Sequence, residues 1–398
     1  MKKIVFTHCA DLHLGCMPNH LEERYDDFFD SFKELIENSI INESKYLLIS
    51  GDLFHLKVIN SKTLLNVINL LEMANNNDIK VFVIEGNHDK AFFVDENSWL
   101  HFLHKKGYIT LLSHKIIDGN LIIDNNSIYE DEDIRIIGIG YLGSTTNIYL
   151  KDIQKKISKS NKFTILMLHA AINRLCGEDM GDVNIEILSP LKKVVDYVAL
   201  GHIHTKYEYN DFIYNPGSIE NIRIKDGKRS DKKGYYIVKT ENKNKEVNFY
   251  NSKQRKIYNE IIKLDNNLTI DEVEKILITK PYSLKSKSIL ELTIYGNVSF
   301  NPYLINFEEI KKVLKEKYDL LYIDINNLIN IVNSELVLNN IIDLKAIEEQ
   351  AIKNYISINY PQLTEIETIT KEIQDLKNSL IDEKEYDVII NNMIDKGE

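Results

Sequence analysis

The chain has 398 residues, of which 43% are hydrophobic and 27% charged, and it carries a formal charge of −11. This length exceeds one ordinary core and predicts a large domain with one or two smaller additions. The apolar run after Lys2 and Lys3 is too short for a signal peptide, and no stretch approaches the roughly 18 apolar residues of a membrane span, so the pattern excludes a membrane protein and predicts a cytoplasmic one.

Short, nearly continuous apolar runs predict strands at 3–9, 46–50, 80–85, 134–139, 163–168 and 197–200, each suited to burial on both faces. Amphipathic stretches predict helices at 22–41, 61–76, 96–106 and 147–159. Such alternation is the mark of an α/β layered domain. Near residue 207 the texture changes to hairpins, at 206–214 and then at 234–240 and 246–250 around a polar turn. From 253 the pattern runs strand 258–264, helix 269–278, strand 288–295, helix 307–318 and strand 320–325, a compact α+β unit. Beyond Ser334 the chain reads as helical and acidic, broken at Pro361. The expected division is therefore 1–252, 253–330 and 331–398.

Charge is unevenly placed. Beyond residue 330 acidic residues outnumber basic ones more than two to one, which leaves the rest of the chain close to neutral. Arg223, Lys225, Lys228, Arg229, Lys232 and Lys233 form a basic run that could track a phosphate backbone, and it reads equally well as a solvated loop. Three cysteines (Cys9, Cys16 and Cys176), with no C-x-x-C pair, predict reduced thiols acting as small hydrophobes.

Five short motifs fall at the ends of predicted strands: Asp11-Leu-His13, Gly51-Asp52, Gly86-Asn87-His88-Asp89, His169 and Gly201-His202-Ile203-His204. In α/β sheets ligands collect beyond the carboxyl ends of the strands, so this placement is informative. Oxygen and imidazole donors without a thiolate suit Mn, Fe, Zn or Mg. Each motif alone is an ordinary turn or a structural histidine; the ordered set of five is not.

In order and wording these motifs resemble the calcineurin-like metallophosphoesterases over about residues 1–220. The strings Ala10-Asp-Leu-His-Leu-Gly15, Gly51-Asp-Leu-Phe-His55 and Asn215-Pro-Gly-Ser-Ile219 are similar to the nuclease subunit (SbcD-like) of the SbcC/SbcD-type DNA-repair complex. The resemblance implies a four-layer α/β/β/α sandwich with a small α+β capping domain and a helical C-terminal segment. It implies two divalent ions, Mn first with Fe, Zn or Mg as alternatives. One would be held by Asp11, His13, Asp52 and His204, the other by Asp52, Asn87, His169 and His202. His88 would stabilise charge or protonate the leaving oxygen, Asp89 would orient the His88 ring, and His55 would position a DNA phosphate. The implied activity is metal-dependent DNA hydrolysis of the repair-exonuclease type. The implied partners are DNA, an SbcC-like coiled-coil ATPase docked on the tail, and a second copy of the chain through 61–73 and 98–103. Two other readings stay open: a phosphodiesterase for a small nucleotide-type substrate, and a non-catalytic interaction protein on this fold, although no ligand position is missing.

Overall fold

In a computed structural model the described residues are 3–91, 97–151, 153–173, 175, 182–224, 232–241, 243–331, 352–353, 356 and 366–379. The expected tail therefore lies mostly outside them, as do Cys176, Lys225, Lys228 and Arg229. The described chain falls into two compact units. The first comprises 1–263, 274–295 and 306–328, and the second 264–273, 296–305 and 329–398.

In chain order the elements begin β1 (Ile4–Cys9), α1 (Glu22–Ile41), β2 (Tyr46–Ile49), α2 (Ser61–Asn75), β3 (Lys80–Val83), α3 (Trp99–Lys105) and β4 (Thr110–Leu111). There follow β5 (Lys115–Ile117), β6 (Asn120–Ile122), β7 (Ile128–Glu130), β8 (Ile134–Ile139), α4 (Thr146–Leu150), α5 (Ile153–Lys156) and β9 (Phe163–His169). Then come α6 (Ile185–Leu188), β10 (Tyr197–Gly201), β11 (Tyr207–Tyr209), β12 (Ile213–Asn215), β13 (Gly234–Glu241) and β14 (Asn244–Asn251). The remainder is β15 (Ile257–Leu264), α7 (Ile270–Thr279), β16 (Ile289–Val298), α8 (Phe307–Tyr318), β17 (Tyr322–Ile331) and α9 (Ile366–Ser379).

Two six-stranded sheets, ordered β14-β13-β1-β2-β3-β4 and β11-β12-β10-β9-β8-β7, form the centre of the first unit. Within them β1, β2, β3 and β4 run parallel to one another, as do β8, β9 and β10, while β13 and β7 pair antiparallel with β1 and β8. The side-chain period of two sorts each strand between two cores. Ile4 and Phe6 of β1, Tyr46 and Leu48 of β2, and Phe82 of β3 pack with Phe163, Ile165, Met167, Tyr197 and Ala199 between the sheets. The alternate residues Leu47, Ile49, Val81 and Val83 meet Phe28, Phe32, Leu35 and Ile36 of α1 and Val67 and Leu71 of α2 on one outer face. Leu166, Leu168, Val198 and Leu200 meet Leu150, Ile153 and Leu188 of α4, α5 and α6 on the other. Helix, sheet, sheet, helix is the expected four-layer order.

The helix expected at 147–159 is instead two short turns, α4 and α5, which bury Leu150 and Ile153 and leave Ile148 exposed. The strands β4 to β7 carry too few residues to show a period, and the sequence reading had none of them. The sheet β15-β16-β17, together with α7 and α8, matches the α+β pattern expected from 253 on. In the second unit Leu264, Val273, Val298, Ile305 and Ile356 are buried, as is Thr370 of α9, whose Oγ1 donates to the Ile366 carbonyl at 2.6 Å. Among the described residues no helix is long and apolar enough to cross a membrane.

Candidate metal centre and active site

The loops that follow β1 and β2 continue side by side after the ladder ends. Asp11 N donates to Gly51 O at 3.1 Å, His13 N to Asp52 O at 3.0 Å and Leu14 N to Leu53 O at 2.9 Å. Within them Asp11, His13 and Asp52 adopt left-handed backbone angles (φ 52°, 45° and 53°), and His202 after β10 has φ 92°. Such angles cost non-glycine residues on the order of 1–3 kcal/mol each and persist only where the surroundings over-determine them. Four strained residues at one end of two sheets therefore mark the site. Gly86 shows how tight it is: a Cβ there would lie 2.0 Å from Asp52 Oδ1 and 2.4 Å from Asp52 N.

The structure brings all seven candidate ligands together. His13 Nε2 lies 3.1 Å from His204 Nε2 and 3.8 Å from Asp52 Oδ2, and that same oxygen lies 3.4 Å from His169 Nε2. Asn87 Oδ1 lies 3.2 Å from His169 Nε2 and 3.0 Å from His202 Nδ1. Two donors held ~2.1 Å from one ion at 90–110° stand ~3.0–3.4 Å apart, so four of these five spacings fit donors sharing a divalent ion, and the 3.8 Å from His13 to Asp52 is wider. Asp52 Oδ2 faces one histidine of each set, His13 and His169. The ligand atoms of Asp11, His13 and His204 lie within 4.8 Å of one another, and so do those of Asp11, Asp52 and His169, and of His13, His55 and His88. His169 Nδ1 is 2.7 Å from the Ser50 carbonyl, which fixes the ring and turns Nε2 towards the cluster.

Electrostatics agree with a cation-binding role. Burial pushes the Asp11 carboxyl up to about 7, with Asp52 adding to the rise against the pull of His169. Burial also opposes charge on Asp52 and on His169, yet each favours the other's ion. Asp52 is held below the usual carboxylate range and His169 rises to about 9. Burial lowers His13, then His204 and other histidines lower it further, and burial followed by the His169 charge lowers His202. A divalent ion needs neutral imidazoles, as at His13 and His202, and its binding would displace the proton that Asp52 favours on His169. Cys9 and Cys16 are buried and their thiols are raised by that burial, so neither is a nucleophile.

His55 and His88 join the cluster, and Asp89 does not act as the sequence suggested. His88 N donates to Asp52 Oδ1 at 2.9 Å, and its Nδ1 lies 2.6 Å from the His55 carbonyl. The ring is thus oriented by backbone. Asp89 accepts instead from three backbone N–H groups, those of Leu53 (3.2 Å), Phe54 (3.0 Å) and Gly86 (3.0 Å), and so ties the β2 loop to the β3 loop. His55 Nδ1 lies 3.3 Å from His13 Nδ1, and burial, then His88, lower its pKa.

The basic run divides. Arg223 and Lys232 are exposed. Lys233 is buried, 1% exposed, with its ammonium donating to the His204 carbonyl at 2.6 Å, so it cannot meet a phosphate backbone; the reading of Lys233 as a DNA contact is corrected. Sequence reasoning missed Asp182, whose Oδ2 lies 3.7 Å from His202 Nε2 and accepts from Ala171 N at 3.2 Å. It also missed Tyr141, whose ring lies 5.2 Å from that of His202. Neither stands in a motif; for Tyr141 the one hint is its place just after a predicted strand, and for Asp182 the sequence gives none.

A four-layer sandwich whose strand ends gather aspartates, an asparagine and histidines defines a metal-dependent phosphoesterase. Residues 4–206 match the family described as Calcineurin-like phosphoesterase, and the chain belongs to that family. It is similar to the DNA double-strand break repair protein Mre11 of Methanocaldococcus jannaschii, 29% identical over 317 residues that cover 77% of this chain and 74% of the relative. The protein of the same name from Sulfolobus acidocaldarius is 27% identical over 374 residues, 90% of this chain and 88% of that one.

Proposed function

We propose that the chain is a metal-dependent DNA nuclease of the repair-exonuclease type, hydrolysing phosphodiester bonds at two divalent ions with Mn the first choice. The observation that carries this reading is the convergence of oxygen and nitrogen donors from the strand ends of both sheets, with His13 Nε2 and His169 Nε2 3.8 and 3.4 Å from Asp52 Oδ2. Asp11, His13, Asp52 and His204 would hold one ion, and Asp52, Asn87, His169 and His202 the other. Bound there, the ions would polarise the phosphoryl oxygens and lower the pKa of water towards neutrality. His88 works beside them. Its Nδ1 is engaged with the His55 carbonyl, so Nε2 carries a transferable proton only when the ring is cationic. In that form it would donate to the developing charge or to the leaving oxygen.

The relatives that bear a DNA-repair name support DNA as the substrate. On the same ground we propose a catalytic domain at 1–252, a capping domain at 253–330 and a tail at 331–398 that docks an SbcC-like coiled-coil ATPase. Pairing of two copies through 61–73 and 98–103 and a cytoplasmic location complete the proposal. The test combines Mn, end-labelled duplex and single-stranded DNA, a small diester such as bis-nitrophenyl phosphate, and a His88→Ala variant. Mn-dependent DNA cleavage lost in the variant is the expected result. Cleavage of the diester with both DNAs intact would return the substrate to a small nucleotide.

A further inference from the structure

Between Gly201, the end of β10, and Tyr207, the start of β11, five residues must aim two imidazoles. These five residues lie outside the strands, and the His202 N–H donates to the Asp11 carboxylate at 3.0 Å. Three consecutive carbonyls are captured by other means. Asn215 Nδ2 donates to Ile203 O at 2.7 Å and to Thr205 O at 2.8 Å. Lys233 Nζ donates to His204 O at 2.6 Å, and Ser218 N to the same oxygen at 3.2 Å.

The donors are built in. Asn215 and Ser218 are 0% exposed and Lys233 is 1% exposed. Burying an ammonium is costly unless it is compensated, and Lys233 has both the His204 carbonyl and the charge of Asp11 to compensate it. The turn that delivers Asn215 and Ser218 depends on Gly217 (φ +75°), where a Cβ would lie 2.6 Å from His204 O and 3.0 Å from Lys206 N. The string Asn215-Pro-Gly-Ser218 thus has a physical task that its sequence does not disclose, and Lys233 arrives from β13's edge to complete it.

We propose that Asn215, Ser218 and Lys233 are positioning residues: by clamping the carbonyls of 203–205 they aim the His204 imidazole, and their removal weakens the ion that His204 holds while the other ion stays bound. This rests on the reading of His204 as a metal ligand and not on DNA as the substrate. Outer partners of metal ligands are worth about 10–100-fold in metal affinity.

The test is titration of Mn into the metal-free full chain, followed by calorimetry and by the Mn paramagnetic resonance signal, with thermal unfolding of the same metal-free samples. Wild type is compared with Lys233→Met, with Lys233→Arg, which keeps a cationic donor, and with Asn215→Leu, which keeps the shape but donates nothing. Expected are two Mn ions in wild type, one of them weakened about 10–100-fold in Lys233→Met and Asn215→Leu, and recovery of most of the loss in Lys233→Arg. Unchanged affinity for both ions in Lys233→Met and Asn215→Leu overturns the proposal. Equal weakening of both ions with a fall in the metal-free Tm overturns it too, because the clamp would then be an anchor of the fold alone. Wild type that takes up no Mn overturns the metal-ligand reading beneath it, whatever becomes of the nuclease assignment.

Discussion

The His88 imidazole is oriented by the backbone of His55: its Nδ1 lies 2.6 Å from that carbonyl, and the two rings stack at 16°. A backbone partner survives any side-chain change at 55, so His88 depends on the loop and not on a neighbouring acid. His88→Ala is expected to lower kcat by about 10²–10⁴-fold, the range for a lost general acid, while bound metal stays at the wild-type level. Steady-state rates paired with metal analysis check this; a wild-type kcat in the variant would remove His88 from the chemistry.

Asp89 holds two loops together through three N–H groups. Asp89→Ala leaves Leu53, Phe54 and Gly86 without their acceptor in a buried place. Each unsatisfied donor costs about 1–3 kcal/mol, so the variant is expected to lose on the order of 3 kcal/mol or more in urea unfolding. A loss under about 1 kcal/mol would show that water replaces the carboxylate.

Arg24 is buried at 1% exposure in α1, with Nη1 2.5 Å from Asp27 Oδ2 and Nη2 3.3 Å from Glu220 Oε1 and 2.6 Å from Asn221 O. Glu220 is 0% exposed, and burial raises its pKa against the pull of Arg24. Arg24→Met strands that carboxylate and is expected to destabilise the protein by about 3–5 kcal/mol. Adding Glu220→Gln should restore part of the loss, because the uncompensated charge goes with it. Additive effects in the double variant, measured by denaturation, would mean that the two groups do not interact.

His8 supplies a pH dependence. It sits between the sheets, with Nδ1 2.9 Å from Tyr197 Oη and Nε2 3.0 Å from Leu200 O, and burial lowers its pKa to about 3 from the ordinary 6.5. Between those values the unfolded chain binds a proton that the folded one refuses, so stability is full above pH 6.5 and falls as the pH drops towards 3. His8→Gln keeps a neutral polar group that does not titrate. The gap in urea stability between pH 7.5 and pH 5 should narrow in the variant relative to wild type; an equal gap in both would place the acid sensitivity elsewhere.

Much of this protein was legible as sequence because the deciding forces are local. A 3.6-residue period marks α1 at Glu22–Ile41, and apolar runs mark β1, β2, β3, β8, β9 and β10. The glycines and the polar pairs after those runs announce turns at strand ends, so the chemistry-bearing residues could be named in order before any contact was known. What those residues touch was decided only by tertiary structure. Lys233 belongs by sequence to a basic run, yet it ends up against the His204 carbonyl, 29 residues away, because β13 runs antiparallel to β1 and so begins at the end where β1 delivers its motif. Asp89 stands next to His88 in the chain but faces the β2 loop. Asp182 reaches His202 across a loop that shows no motif. Periodicity and turn chemistry are written residue by residue, whereas burial and hydrogen-bond partnership belong to pairs far apart in the chain, and only the packed sheets bring those pairs together.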